Sequence, residues 1–168
     1  VDVSNSLIYI QEASQTVEVP LLTYGTLAGA DSYFANRLRS RHIWHDAEIL
    51  DKRGALTEAR ECIDRLSFKD CKTEASQLLE FPRGGDTVVP TDVEKACYEI
   101  AVKLLDGLDP EVEIKNLGNT SQGFGGARTT YDRAFVLEHL SAGIVSAAAW
   151  ALLKPYMQDS RALKLSRV

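Results

Sequence analysis

The spacing of hydrophobic residues predicts four helices, two of which lie in the first half of the chain. In residues 51–66, Leu56, Ala59 and Ile63 recur at helical spacing and define a buried face. Because Asp31 precedes an amphipathic run, an earlier helix is predicted with Asp31 as its N-cap. The side chains of this earlier helix that are expected to face the core are Tyr33, Phe34 and Leu38.

The third predicted helix carries the most complete set of end signals. Thr91 stands at the N-cap and Glu94 follows three positions later, a pair typical of a capping box. Gly107 comes after the last apolar turn and is the expected C-terminal stop. The predicted buried face consists of Val93, Ala96, Cys97, Ile100, Ala101, Leu104 and Leu105.

The remaining segments complete the predicted architecture. Residues 108–132 read as short alternating strand around a Gly-rich stretch, which predicts a β-hairpin, and a fourth helix is predicted over 133–153. The predicted fold class is therefore mainly α, a small four-helix bundle. Its parts are an extended N-terminal arm at 1–28, the helical domain at 29–157 with the β-hairpin and Gly-rich loop before the last helix, and an extended C-terminal tail at 158–168.

Charge and composition narrow the classes of function. The 168 residues include 19 Lys+Arg against 24 Asp+Glu, and the net charge of −5 argues against a dedicated nucleic-acid binder with a basic surface. The longest apolar run, residues 140–153, is too short to span a bilayer, and no secretion signal is expected. Since the three cysteines form no metal-binding or redox motif, free thiols in a reducing cytoplasm are expected.

Three local patterns suggest chemistry, and none meets its full requirement. Gly118 and Gly123 have the spacing of a phosphate-binding loop, but Phe124 stands where a Lys is required, so a hairpin tip is the preferred interpretation. His42 and His45 could share a metal with a third ligand from the nearby Asp46 or Glu48, but such polar clusters are common at helix ends, so solvated or capping histidines are preferred. No Ser or Cys lies in an activating motif. The chain is therefore predicted to be no enzyme and to use neither a metal nor a cofactor.

Two clusters of opposite charge are candidate contact surfaces. The basic cluster after the first helix could contact nucleic acid or an acidic protein surface, or it could be a solvated helix end that interacts with the helix dipole. Opposite clusters on one chain suit a head-to-tail contact between identical subunits, which generates rings. The basic residues are Arg37, Arg39 and Arg41, and the acidic residues are Asp106, Asp109, Glu111 and Glu113.

The stretch LEFPRGG, residues 79–85, predicts a stiff elbow before the third helix. Pro82 fixes its own φ and restricts Phe81 to extended geometry, so the chain enters the helix at a defined angle. Phe81 is expected to anchor in the bundle and Leu78 to pack beneath the connection. Arg83 is expected to be exposed and free to pair with a neighbour or to cap a carbonyl group.

This elbow and the following VPTDVEKACYEIA resemble the signature of tailed-bacteriophage head–tail connector, or adaptor, proteins. Further similarities in the same order are TYGTLAGADSYFANR, ARECIDRL, TSQGFGGARTTYDR and SAAAWALLKPYM, which extend the resemblance over residues 23–157. The N-terminal arm is longer than the family core requires. The resemblance implies a structural virion protein, assembled in the host cytoplasm, that forms a ring at the head–tail junction, expected to be a dodecamer.

The partners implied by this resemblance are further copies of the chain, the portal protein, and a tail terminator, stopper or tail tube protein. Genomic DNA would pass through the lumen without sequence-specific binding, and no membrane is involved. The tail is expected to dock on the portal through apolar and basic side chains, namely Arg161, Leu163, Lys164, Leu165, Arg167 and Val168. The inter-subunit or lumen loop is expected to comprise Gly118, Gly123, Phe124, Gly125, Gly126 and Arg128.

The sequence also resembles the DnaT-like single-stranded-DNA-binding domain, which gives the alternative function of a replication accessory protein. Such a protein needs a basic groove with aromatic side chains on which bases stack. The local candidates are the basic cluster together with Tyr33, Phe34 and Trp44.

Overall fold

The structure, a computed structural model, describes residues 22–118, 121–124, 127–130 and 138–158. This part of the chain is mainly helical, as predicted, and contains seven α-helices, two short strands and a 3₁₀ turn. The helices are α1 (Leu27–Ala35), α2 (Arg41–Asp46), α3 (Ile49–Asp64), α4 (Thr91–Leu105), α5 (Pro110–Gly118), α6 (Glu138–Ser141) and α7 (Ala147–Leu153). The strands are β1 (Ser121–Phe124) and β2 (Ala127–Thr130), and the 3₁₀ turn is Lys154–Tyr156.

The core is built around α4, which packs against both α3 and α7. Leu56 and Ile63 of α3, Ile100 of α4 and Leu153 of α7 are all inaccessible to solvent. Burial of a side chain of this size contributes about 1.5–3 kcal/mol. The predicted buried face of α3 is confirmed, and so is that of α4 up to its last turn, where the two leucines are only half-buried.

Helix α1 begins earlier than predicted because a threonine, not an aspartate, caps it. Thr26 Oγ1 accepts a hydrogen bond from the Gly29 backbone N–H at 3.0 Å. Asp31 lies inside the helix, where its carboxylate accepts a hydrogen bond from Trp44 Nε1 at 2.7 Å. The expectation that Leu38 faces the core is wrong, since the helix ends before this residue and leaves it 83% exposed.

Helix α4 begins at the predicted place without the predicted cap. Pro90 is the N-cap residue, and no side chain caps the helix. Because Thr91 is already the first helical residue, the capping box with Glu94 does not form. At the other end, Gly107 adopts a φ of 84°, a left-handed conformation that favours glycine, so the predicted stop is confirmed.

Residues 110–118, predicted as part of a strand, form α5 instead. Pro110 occupies the first helical position, where its missing N–H costs no hydrogen bond. Asp109 Oδ1 accepts a hydrogen bond from the Glu111 N–H at 2.8 Å, as an N-cap does. Beyond α5, β1 and β2 pair in antiparallel register, with Ser121 opposite Thr130.

The single helix predicted over 133–153 corresponds to two helices in the described residues. Gly143, with a φ of 78°, separates α6 from α7. Ser146 then caps α7, since its Oγ accepts a hydrogen bond from the Ala149 N–H at 3.2 Å. The prediction therefore missed a break that a glycine and a capping serine produce together.

The elbow before α4 contains a cis peptide bond between Phe81 and Pro82. Phe81 is buried, and its ring centroid lies 4.7 Å from that of Phe68 and 5.7 Å from that of Tyr156. The expectation that Leu78 packs down is wrong, since this residue is 79% exposed. The elbow is therefore anchored by aromatic contacts and not by the leucine three positions earlier.

Arg83 is not the exposed cation that was predicted, but it does bond carbonyl oxygens, the second of its two expected roles. Its side chain is 14% exposed and pairs with the Glu80 carboxylate at 2.6 Å. Its Nε also donates to the Lys69 carbonyl oxygen at 2.9 Å. Because its own chain satisfies it, Arg83 fixes the elbow against the segment that follows α3.

Candidate nucleic-acid interface

A short backbone pairing joins the segment after α3 to the segment after α7. Phe68 and Met157 form an antiparallel bridge. The Lys69 N–H donates to the Tyr156 carbonyl oxygen at 2.9 Å, and the Gln158 N–H donates to the Ser67 carbonyl oxygen at 3.0 Å. Two segments that are far apart in sequence therefore share one surface of the fold.

This pairing lies beside a cleft of about 540 Å³, which we name the basic cleft. Three cations line it, Arg65, Lys69 and Lys154, against one carboxylate, that of Glu138. Lys154 Nζ lies 3.2 Å from the Glu138 carboxylate, in a pair whose side chains are both about two-thirds exposed. The remaining lining residues are Leu66, Ser67, Ala142, Trp150, Met157 and Gln158.

Trp150 gives the basic cleft an aromatic wall. The residue is half-buried in α7, and its indole N–H is buried without a hydrogen-bond partner among the described residues. An unsatisfied buried donor of this kind costs about 1–3 kcal/mol. The cleft thus combines positive charge, an aromatic side chain and an unused hydrogen-bond donor.

A smaller cleft of about 270 Å³ adjoins the basic cleft through Lys69. Tyr156 lines it and is half-buried, and burial raises the pKa of its hydroxyl. Because two cations, Lys69 and Arg83, line it together with the carboxylates of Asp70 and Asp86, the described lining of this second cleft carries no net charge. It extends the surface beyond Lys69 and adds a second aromatic side chain.

The predicted stacking surface at α1 and α2 is wrong for two of its three aromatic side chains, while Tyr33 is half-buried. Phe34 and Trp44 are fully buried, and their rings stack on each other with centroids 4.9 Å apart. Trp44 faces inward because its indole N–H donates to Asp31. These two rings belong to the core and are not available for bases.

The basic cluster itself lies at the surface. Arg39 and Arg41 are exposed, whereas Arg37 lies 4.3 Å from the Tyr33 ring centroid and 3.5 Å from the Glu99 carboxylate. Hydrogen bonding to Glu99 and burial raise the pKa of Tyr33, burial being the larger cause. One of the three predicted cations is therefore committed to contacts within the fold.

The predicted acidic cluster divides between two elements. Glu111 and Glu113 lie on α5, where Glu111 Oε2 is 4.0 Å from Lys115 Nζ, and Asp109 caps that helix. Asp106 lies at the end of α4, with Oδ2 3.8 Å from Lys103 Nζ.

A separate groove of about 670 Å³ runs along the first half of α3, and we name it the acidic groove. Its apolar residues are Ile43, Ala47, Ala55, Leu104 and Leu105, with Gly54 among them. Four carboxylates line the groove and no cation does so among the described residues. They are Asp46, Asp51, Glu58 and Asp106.

Several predicted site residues fall outside what the structure describes. This is the case for the whole tail, Arg161, Leu163, Lys164, Leu165, Arg167 and Val168, and for Gly125 and Gly126 of the loop. Of the other loop residues, Gly118 ends α5, Gly123 and Phe124 lie in β1, and Arg128 lies in β2. The arm up to residue 21 also lies outside the described residues.

His42 and His45 are exposed on α2, and no group of three or more His, Cys, Asp or Glu side chains in the described ranges could hold a metal ion. Within those ranges, no helix is both long and apolar enough to cross a membrane.

Comparison with known proteins identifies one family. A family model described as "Putative DnaT-like ssDNA binding protein" matches residues 17–168. No curated protein and no solved structure matches the chain. The head–tail adaptor identity, the ring and the portal partner find no support in these comparisons. Because the match covers nearly the whole length, the chain belongs to this DnaT-like family.

Proposed function

We propose that the chain binds single-stranded DNA through the basic cleft, without a catalytic step. The observation that carries this proposal is the convergence of Arg65, Lys69 and Lys154 on a cleft walled by Trp150. Proteins that bind single strands combine cations that follow the phosphates with aromatic rings on which bases stack. The printed description of the family points to the same ligand.

The distribution of charge supports binding at this cleft in spite of the net charge of −5. In the part of the chain that the structure describes, several carboxylates line the acidic groove and lie on α5, whereas one, that of Glu138, lines the basic cleft. A local excess of cations attracts a polyanion even when the whole molecule is acidic, because salt screens charges beyond about 10 Å. The strand is therefore expected to approach the cleft and to avoid the acidic surfaces.

Fluorescence anisotropy of a labelled oligo(dT), titrated at several salt concentrations, tests the proposal. Each cation that neutralises a phosphate of a single strand contributes about 0.7 to the slope of log K against log salt. The double variant Arg65→Gln/Lys154→Gln is expected to lower the magnitude of that slope by about 1.4 and to weaken binding at every salt concentration. The matched control is Lys95→Gln/Lys115→Gln, which removes two exposed cations elsewhere.

The control is expected to bind as the unsubstituted chain does. Equal slopes for the two double variants would contradict the assignment of the basic cleft. Failure of the unsubstituted chain to bind the oligonucleotide at low salt would contradict single-strand binding itself.

A second candidate is the head–tail adaptor, a virion protein assembled as a ring beneath the portal. The observation that favours it is large exposed apolar side chains, including Ile49 and Leu50 at 64% and 79% exposure and Val88 at 71%. Adjacent exposed apolar residues of this size suit a contact with other subunits. Light scattering of the purified chain, alone and mixed with portal, tests this candidate. A ring would support it, and a monomer indifferent to portal would contradict it.

A further inference from the structure

The acidic groove leaves apolar surface uncovered at the end of the core. Leu104 and Leu105 belong to the buried face of α4 by their spacing, yet both are half-buried and line the groove with Ile43. Gly54 opens the groove further, since a Cβ at this position would meet no atom within 4 Å. The groove therefore has room and apolar contacts for a side chain from another segment.

The rim of the groove specifies the charge of that segment. Asp46, Asp51, Glu58 and Asp106 line it with no cation among the described lining residues, although Asp106 Oδ2 lies 3.8 Å from Lys103 Nζ outside the groove. A segment that alternates cations with small or aliphatic side chains would satisfy both the rim and the apolar residues. A polyanion such as DNA would be repelled.

The last ten residues of this chain, DSRALKLSRV, have that composition. Arg161, Lys164 and Arg167 recur at intervals of three, and Leu163 and Leu165 lie between them. Against these cations the segment carries a single acidic side chain, that of Asp159.

The segment is long enough to reach the groove of its own chain. Gln158 is fixed beside Ser67, just beyond α3, by a backbone hydrogen bond of 3.0 Å. At 1.5 Å of rise per residue, Glu58 and Asp51 lie about 14 and 24 Å back along the helix direction. Ten extended residues span about 33 Å.

We propose that residues 159–168 dock in the acidic groove of the same chain, independently of whether the basic cleft binds DNA. Leu163 and Leu165 contact the apolar residues, and the three cations pair with the rim. Because the segment is tethered, its effective concentration at the groove is on the order of 1 mM. An intrinsic dissociation constant on the order of 0.1 mM would then leave about one molecule in ten undocked.

Trypsin cleavage of the full chain after Lys164, followed by mass spectrometry at low salt, tests the proposal. A free peptide with the sequence of residues 159–168 gives the rate for an undocked segment. The full chain is expected to be cleaved about tenfold more slowly than the peptide, because cleavage requires the undocked form.

Two variants remove the groove in different ways. Asp51→Asn/Glu58→Gln takes away two rim charges, and Gly54→Leu fills the space without touching a charge. Both are expected to restore cleavage toward the rate of the peptide. The matched control, Glu111→Gln/Glu113→Gln on α5, removes two carboxylates that do not line the groove and is expected to keep the protection.

Equal cleavage rates for the chain, the two groove variants and the peptide would overturn the proposal. Protection that grows with protein concentration would also overturn it, since the segment would then occupy the groove of a second copy. Slow cleavage in the full chain that neither groove variant relieves would assign the protection to another surface and reject the groove.

Discussion

The basic cleft and the acidic groove lie toward opposite ends of α3 and differ in almost every chemical respect. The cleft lies beyond the C-terminal end of α3, with Arg65, Lys69 and Trp150, whereas the groove follows its first half, with Asp51 and Glu58. The contrast teaches that a net charge of −5 is an average over surfaces of opposite sign. Composition alone argued against nucleic-acid binding, but the ligand meets only the local charge.

The packing of α3 on α4 holds these two regions apart, so unfolding is expected to abolish both together. At this contact Cys97 is fully buried, with its Sγ 3.7 Å from the Leu56 carbonyl oxygen. Burial raises the pKa of the Cys97 thiol from 9.0 to about 12.

The largest predicted effect is therefore a loss of stability in alkali. The unfolded chain releases the Cys97 proton above pH 9 while the folded chain retains it, so the free energy of unfolding falls as the pH rises from about 9 to about 12, by roughly 1 kcal/mol per unit. Urea denaturation at pH 8, 9 and 10 measures this fall. Cys97→Ala is expected to reduce the slope, although this variant is less stable at pH 8 because it leaves a cavity.

If the free energy of unfolding of Cys97→Ala falls with pH as steeply as that of the unsubstituted chain, the Cys97 thiol does not cause the loss of stability. The half-buried Cys62, whose pKa burial also raises, would then be the next group to test, since its pKa is shifted in the same direction.

Gly54→Leu sharpens the comparison at the groove. Because Gly54 lies inside α3 and a side chain there meets no neighbour, helix propensity is expected to stabilise Gly54→Leu by about 0.5–1 kcal/mol. Displacement of the docked segment 159–168 costs roughly 1.4 kcal/mol at a tenfold excess of the docked form, so the expected net change is a small loss of stability. Thermal unfolding measures this net change. Affinity for single-stranded DNA is expected to stay unchanged, and a loss of affinity would mean that the strand occupies the groove as well as the cleft.

The smallest predicted effect is that of the acidic-groove carboxylates on the affinity of the basic cleft for single-stranded DNA. Asp51→Asn/Glu58→Gln is expected to change the affinity for oligo(dT) by less than about twofold at 0.15 M salt, where the Debye length is about 8 Å. At 0.01 M salt the screening length is about 30 Å, and the variant is expected to bind more tightly than the unsubstituted chain. A large effect at high salt would contradict the separation of the two regions.

The helices α3 and α4 could be predicted because a one-sided apolar pattern is decided by residues close in sequence. The capping residues could not, since Asp31 bonds Trp44 and Thr91 lies inside its helix instead of before it. Asp31 has the residue type of an N-cap, but its carboxylate bonds a tryptophan thirteen residues later. Thr91 also has the residue type of an N-cap, but the helix already includes it. Neither outcome can be read from the residues next to these positions. The strand predicted at residues 110–118 is wrong for a different reason, because Asp109 and Pro110 start a helix there.

The candidate site was harder to predict than the fold. Arg65 and Lys154 carry no local motif, and only the pairing of Phe68 with Met157 brings their segments together. Trp44, by contrast, stood next to arginines in the sequence and proved to be a core residue. Proximity in sequence pointed to Trp44, whereas Trp150 became a candidate only through the long-range pairing of Phe68 with Met157.

The emission of Trp150 during titration with oligo(dT) tests the central claim most directly. The chain contains two tryptophans, so Trp44→Phe leaves Trp150 as the only one. We predict that saturating oligo(dT) quenches its emission, that rising salt reverses the quenching, and that Arg65→Gln/Lys154→Gln weakens it in the same background. Binding detected by anisotropy with no change in Trp150 emission would contradict the basic cleft as the site.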